Sequence, residues 1–266
     1  MLVDILTHFL AAMLIFVPLE TLVPRQRGQK ILRQFWQIDT AYALFAGILI
    51  ATGMTALFVG SERLFAPLID EGIRTAIRGQ PVVLQAIELI VIADVGYYLI
   101  HRLFHEVPAL WRFHAVHHSI EEMDWLAAYR VHPIDQILTR GVSLLIPLAL
   151  GYSGAAFAIF GFFFSWHSAL KHSNVKVSFG PLRWILATPT YHHWHHANQA
   201  EARDKNFAGQ LPLIDLLFGT AIMKEKEGPT VYGTDHPLPA GFMAQLAEPF
   251  HVPQTPQPAS SRPASK

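Results

Sequence analysis

The sequence predicts an all-α fold: a polytopic bundle of membrane helices carrying a helical cap rich in histidine. Three observations carry that expectation. The 266 residues are 52% hydrophobic and only 15% charged, too apolar for a soluble domain of this size. Apolar stretches of bilayer-spanning length recur along the chain. Histidines crowd into strings that follow those stretches: five of the 15 lie between positions 101 and 118, and His192, His193, His195 and His196 form another cluster.

The first span covers about residues 2–24. No basic segment precedes it and no small-residue cleavage site follows, so it is expected to stay in the membrane and not to be removed as a signal peptide. The next loop carries Arg25, Arg27, Lys30 and Arg33 without an acid, and the second span follows at about 38–60. The loop 61–80 balances Arg63, Arg74 and Arg78 against Glu62, Asp70 and Glu71. Its Leu64, Phe65, Leu68, Ile69 and Ile73 predict an interfacial amphipathic helix. The positive-inside bias places the first loop in the cytoplasm, so a third span at about 81–100 returns the chain there and delivers residues 101–118 to the cytoplasmic face.

Residues 133–172 are apolar through most of their length and break at Gly151-Tyr152-Ser153-Gly154, a turn signal. Pro133 suits a helix start, and Phe162, Phe163, Phe164 and Trp166 suit a membrane interface. Folded as a hairpin, this segment brings His172 and residues 192–196 back to the side of the first histidines; a single span would separate them across the bilayer. The expected organisation is 1–80 as N-terminal spans and interfacial loop, 81–225 as histidine-bearing spans and cap, and 226–266 as a C-terminal segment. From about 252 the chain is rich in Pro and Ser and is expected to be disordered.

The absence of cysteine excludes a thiolate site, a disulfide framework and a haem thiolate. Imidazole suits iron, zinc, copper and nickel, whereas magnesium and calcium prefer oxygen. On a helix, His101 and His105 project from one face at i and i+4. His114, His117 and His118 stand at i, i+3 and i+4, as do His192, His195 and His196, so each triplet is expected to present three imidazoles to one point. His193 sits about 100° round the helix from His192, and is read as supporting a ligand ring or facing the surface. His132, before Pro133, is open between a metal-site and a pocket role. His8, His236 and His251 lie outside any cluster and are read as structural or surface residues. A net charge of zero and the lack of a large basic run give no reason to expect a nucleic-acid partner.

Taken together, these segments resemble the sterol desaturase and fatty acid hydroxylase superfamily, integral membrane di-iron oxygenases. Asp94-Val-Gly-Tyr97-Tyr98-Leu-Ile-His101-Arg102-Leu-Phe-His105 resembles the first histidine box and Phe113-His114-Ala-Val-His117-His118-Ser119 the second. Arg130-Val-His132-Pro133 and His172-Ser173-Asn174 are similar to intermediate elements, and Thr188-Pro189-Thr-Tyr-His192-His193-Trp-His195-His196 to the third box. Asp204-Lys205-Asn206-Phe207 and Ile214-Asp215-Leu-Leu-Phe218-Gly219-Thr220 are similar to the closing signature. The resemblance implies a dinuclear site of two iron ions held by His101, His105, His114, His117, His118, His172, His192, His195 and His196. It also implies O2 as co-substrate and hydroxylation of a C–H bond of a membrane lipid, with desaturation as the nearest variant. His172 aligns better than His167, which lies about 140° away on an ideal helix and remains open as a ligand if the helix bends. Asp94, Asn174, Asp204 and Asn206 are candidates to accept the spare imidazole N–H groups, with helix caps and turns as the alternative. These residues include no cytochrome b5-like or ferredoxin-like segment, so electrons are expected from a separate protein of cytochrome b5, ferredoxin or flavoprotein type. The histidine site would then face the cytoplasm, from a bacterial inner membrane or the endoplasmic reticulum membrane.

Other classes fit less well. Catalytic zinc uses three protein ligands, and the chain has no HExxH, which counts against a membrane zinc hydrolase. A metal transporter should carry ligands inside several spans, whereas these histidines follow the spans. A soluble carboxylate-bridged di-iron bundle needs Glu where this chain has His. A non-catalytic lipid- or metal-binding protein is separated from an oxygenase by oxygen consumption.

Overall fold

The computed structural model describes residues 2–224 and 227–251; the expected disorder from about residue 252 lies outside them. Among the described residues the chain is helical, with two isolated antiparallel bridges, Pro24 with Val175 and Ala197 with Tyr232.

Helix α1 is Leu2–Leu22. Helix α2 (Trp36–Ala41) runs through a π-helical turn at Tyr42–Ala46 into α3 (Gly47–Phe65). After the short α4 (Glu71–Arg78) comes α5 (Val82–Glu106). Three helical runs are long and apolar enough to cross a membrane: Leu2–Leu22, Trp36–Leu68 and Val82–Glu106. Helices satisfy their own backbone groups, which hydrocarbon cannot do for them, so apolar runs of this length fold this way in a bilayer. The composition and these runs make the chain a membrane protein. In α1 and Trp36–Leu68 only 11% of the apolar window is buried, against 33% in α5, so α5 is the axis on which the rest packs. Within 61–80, Asp70 caps α4 by accepting the amides of Gly72 and Ile73, and Arg74 pairs with Glu62 at 2.7 Å.

Helix α6 (Pro108–His118) follows α5 after a single extended residue, Val107. The segment 133–172 is a bent hairpin. Its outward arm is α7 (Pro133–Gln136), a π-helical turn at Ile137–Gly141 and α8 (Leu145–Leu150), and its return arm is α9 (Gly154–His172). Gly151 makes the reversal at φ 84°, a left-handed conformation that costs glycine little. The turn is pinned near the start of α5, where the Ser153 amide donates to Gln85 at 2.8 Å and the Tyr152 hydroxyl to Glu88 at 2.9 Å. Both arms therefore begin and end at the other end of α5, where its histidines are. Leu89 and Ala93 of α5 pack with Leu144, Tyr152 and Phe160 of the hairpin; a fully buried Leu or Phe contributes about 1.5–3 kcal/mol. A side chain at Gly96 would meet the Ser143 backbone at 3.1 Å, so glycine there lets the outward arm approach α5 closely.

The cap is completed by α10 (Pro189–His195), α11 (Pro212–Phe218) and α12 (Phe242–His251). Two buried carboxylates tie it together. Asp94 accepts the amides of Gln210 and Leu211, and Asp215 accepts the Phe207 and Ala208 amides and the hydroxyls of Tyr191 and Thr220.

Candidate metal centre

The nine histidines of the three boxes and His172 meet in two adjacent groups. His101, His105, His114, His118 and His195 form one, and His117, His172, His192 and His196 the other; within each, one ring nitrogen per residue lies within 4.8 Å of all the others. The triplets therefore do not converge on single points. Residue i+4 lies about 40° past residue i and i+3 about 60° short of it, so they straddle it. His114 and His118 go to the five-ring group and His117 to the four-ring group; His192 and His196 go to the four-ring group and His195 to the five-ring group. Helices α6 and α10 thus each serve both groups, which places them side by side: His118 stacks on His196 with ring centroids 4.6 Å apart.

Local structure fixes five of the nine rings through Nδ1, whereas the Nδ1 atoms of His192 and His196 are buried without a hydrogen-bond partner. α10 starts at Thr188, whose hydroxyl accepts the Tyr191 amide, with Pro189 in the first helical position. His101 Nδ1 donates to the Phe207 carbonyl at 2.7 Å, His117 Nδ1 to Arg130 at 3.0 Å, His172 Nδ1 to Ser168 at 2.7 Å and His195 Nδ1 to Lys205 at 2.8 Å. His114 Nδ1 faces the Asp135 carboxylate at 2.8 Å. With the proton on Nδ1, Nε2 of each of these five rings presents a lone pair, and the Nε2 atoms of His118, His192 and His196 join them. Those nitrogens face one another at 2.8 Å (His101 and His114), 3.2 Å (His114 and His118), 3.1 Å (His118 and His195), 3.2 Å (His117 and His172), 2.9 Å (His172 and His192) and 3.1 Å (His192 and His196).

Two lone pairs at such distances repel unless a proton or a metal cation sits between them. A metal bonded to imidazole at about 2.0–2.1 Å holds neighbouring ligand nitrogens about 2.9–3.4 Å apart, so the donor set fits metal ions. His105 Nε2 is buried without a hydrogen-bond partner, a further free donor atom. Burial also keeps the rings neutral and able to bind. It pushes His117 down to about 3, helped by His114, and holds His118, His192, His195 and His196 well below the ordinary histidine value.

The remaining sequence candidates lie around these groups. His193 reaches the His172 carbonyl at 3.2 Å and the Tyr232 hydroxyl at 3.1 Å, supporting the four-ring group from behind. His167 is turned away, with Nε2 on the Ala187 carbonyl at 2.7 Å and Nδ1 on the Gln210 side chain. His132 caps α7 by accepting the Ile134 amide and bonds the Leu246 carbonyl of α12. Asn174 pairs with the backbone of Gln26, and Asp94 with the amides of Gln210 and Leu211; neither meets a ring. Asp204 comes within 3.8 Å of His105 Nδ1. Asp204 and Asn206 act chiefly through the backbone, at φ 56° and 58°, a region Asp and Asn tolerate better than most residues. Lys205 lies between them and Phe207 follows, and their carbonyls are those that hold His195 and His101. Asn206 further clamps the Tyr191 and Ile222 carbonyls.

Asp135 escaped the sequence reading. Its signal was a lone carboxylate at the start of an apolar hairpin, the kind of residue that is costly unless it has a task. Elsewhere in the interior, Asp39 bridges Arg33 and Arg130, and Arg33 also reaches Asp124 at 2.8 Å. This buried network anchors the residue whose carbonyl holds His117.

A fatty acid hydroxylase family model matches residues 86–220, a stretch that contains all nine histidines of both groups. The chain belongs to the fatty acid hydroxylase family. It thereby falls in the superfamily that its histidine boxes resemble. This family member is 35% identical over 170 residues to an ornithine lipid hydroxylase of Rhizobium tropici, covering 64% of this chain and 51% of that protein. It is 37% identical over 145 residues to the alkylglycerol monooxygenase of Homo sapiens, covering 54% and 32%. It is 31% identical over 175 residues to a very-long-chain aldehyde decarbonylase of Oryza sativa subsp. japonica, covering 59% and 27%. The chain thus spans about half the length of the first relative and about a third or less of the other two. No solved structure matches it.

Proposed function

We propose that the protein is a membrane-bound di-iron oxygenase that hydroxylates a C–H bond of a lipid, using O2 and an electron pair delivered by a separate protein of cytochrome b5, ferredoxin or flavoprotein type. The observation that carries this reading is the pair of adjacent histidine groups whose Nε2 lone pairs converge. His101, His105, His114, His118 and His195 would hold one ion, and His117, His172, His192 and His196 the other. Two iron ions bound there supply the oxygen-dependent attack on an unactivated C–H bond.

The chain's own residues do the rest. Carbonyls of Arg130, Ser168, Lys205 and Phe207 fix the direction of their rings. Trp111 and Phe207 pack against His105 with centroids 5.1 Å away, excluding water from the five-ring group. Tyr97, one turn before His101 on α5, places its ring 4.9 Å from His101. The Rhizobium and human relatives are named as acting on lipids, which supports a lipid substrate here. In this reading both arms of 133–172 cross the membrane and the histidines face the cytoplasm, as the basic loop at Arg25 to Arg33 favours.

The test is lipid analysis of cells with and without the protein, paired with metal analysis and oxygen uptake of the purified protein. Hydroxylation adds one oxygen to a lipid, whereas loss of two hydrogens would make the enzyme a desaturase. No iron-dependent oxygen uptake with reductant and lipid extract would refute the oxygenase reading.

A further inference from the structure

Five of the nine rings have Nδ1 held by an oxygen acceptor. Four use neutral main-chain carbonyls, and His114 alone uses a carboxylate, Asp135 Oδ2 at 2.8 Å, with both side chains 2% exposed. The difference is chemical. An Nδ1–H bonded to a carboxylate shifts electron density into the ring and makes Nε2 a more basic ligand than the same ring on a carbonyl, and such charge-assisted bonds are about twice as strong as neutral ones. The His114 nitrogen enriched in this way faces His101 and His118 within the five-ring group.

The surroundings of the two groups differ in the same sense. The five-ring group has a second carboxylate beside it, Asp204 at 3.8 Å from His105. Near the four-ring group the polar neighbours include basic side chains. Lys171, buried and next to His172, donates to the Gly209 carbonyl, and Arg25 donates at 2.5 Å to Thr190, two residues before His192.

We propose that Asp135 is a positioning residue that makes the five-ring metal site the more electron-rich of the two, so that this site binds its ion more tightly and is reduced after its neighbour. The inference rests on the two-metal reading and adds an order to it: electrons arriving at the centre settle first at the His117, His172, His192 and His196 site.

The test uses the full chain in detergent, loaded with iron(II) and titrated potentiometrically while Mössbauer spectra report each site. His192→Ala, which removes a ligand of the four-ring group, identifies the signal of the five-ring site. Asp135→Asn keeps the size of the side chain and an acceptor oxygen but removes the charge. Its expected result is roughly 10- to 100-fold weaker iron binding at the five-ring site, with the potential of that site raised and that of the four-ring site unchanged. Asp135→Glu should restore both towards wild type. Equal shifts at the two sites, or no shift at either, would overturn the proposal. Loss of both Asp135 variants from the membrane fraction would also overturn it, by assigning the residue to folding. Wild-type protein that holds no iron would instead refute the two-metal reading, and the proposal with it.

Discussion

The cap and the first two membrane runs are held together by different physics. In the cap, buried polar groups are fixed by named partners: rings by carbonyls, and Asp215 by two amides and two hydroxyls. Along α1 and Trp36–Leu68, only 11% of the apolar window is buried, and side chains such as Leu14, Leu22 and Phe45 are 71%, 77% and 61% exposed. The cap therefore depends on individual atoms, whereas the outer surface of the spans depends on average apolarity. Substitutions should be felt sharply in one and weakly in the other.

The sharpest test removes one ring from each group. His195→Ala should cost the five-ring ion and His192→Ala the four-ring ion, each lowering metal content from two ions per chain towards one and abolishing activity while the protein stays in the membrane fraction. Elemental analysis of the purified variants checks this. Undiminished metal in both would remove the ligand assignment and the distinction between the groups.

Next in size is the buried network behind His117. Asp39→Ala leaves Arg33 and Arg130 buried without their shared carboxylate, which should cost about 3–5 kcal/mol. The exposed pair Arg203–Asp235, 55% and 56% accessible, is the control: Asp235→Ala should cost about 0–1 kcal/mol. Thermal midpoints in one detergent compare the two, and similar losses would contradict the contrast.

This contrast also explains what the sequence disclosed. The nine histidines were legible because imidazole is chemically specific and helical spacing of three and four repeats in each box. Their division into five and four was not, because it depends on how α6 and α10 lie between the two groups. The partners of the rings were least legible, since a backbone carbonyl leaves no residue-type signature. Asp204 and Asn206 stood out as polar side chains, yet much of their effect is to turn the chain so that the carbonyls of Lys205 and Phe207 face inward. The hairpin was readable from the need to bring His172 back to His117, and its turn from Gly151. The bends of its outward arm, with a π-helical turn at Ile137–Gly141, follow from packing against α5 and α3 and have no comparable local signal.

A third test concerns protons. His117 and His193 are both pushed down to about 3 from the ordinary 6.5, mainly by burial, with His114 adding to the first and Arg25 to the second. An unfolded chain would protonate these rings near 6.5, so below that pH it binds more protons than the folded chain, and stability falls as pH falls. Chelated protein should therefore lose thermal stability progressively from about pH 6.5 downward, and metal, which competes with protons for Nε2, should move the loss to lower pH. A flat profile for the chelated protein between pH 7 and pH 4 would show that these rings are not held neutral by burial.

The smallest effects are expected on α1, where two neighbouring positions carry the whole contrast. Ala12 is fully buried and packs with Phe16, Trp125, Leu126 and Ala169, whereas Leu14, two residues on, is 71% exposed. Ala12→Leu adds volume to a filled interface and should cost about 1–3 kcal/mol. Leu14→Ala removes a side chain whose surroundings are lipid in either case, and should change stability by no more than about 0.5 kcal/mol. A larger loss at Leu14 than at Ala12, measured by thermal midpoint in detergent and repeated in bilayers, would mean that the outer face of α1 is a protein contact and that the spans share the residue-by-residue specificity of the cap.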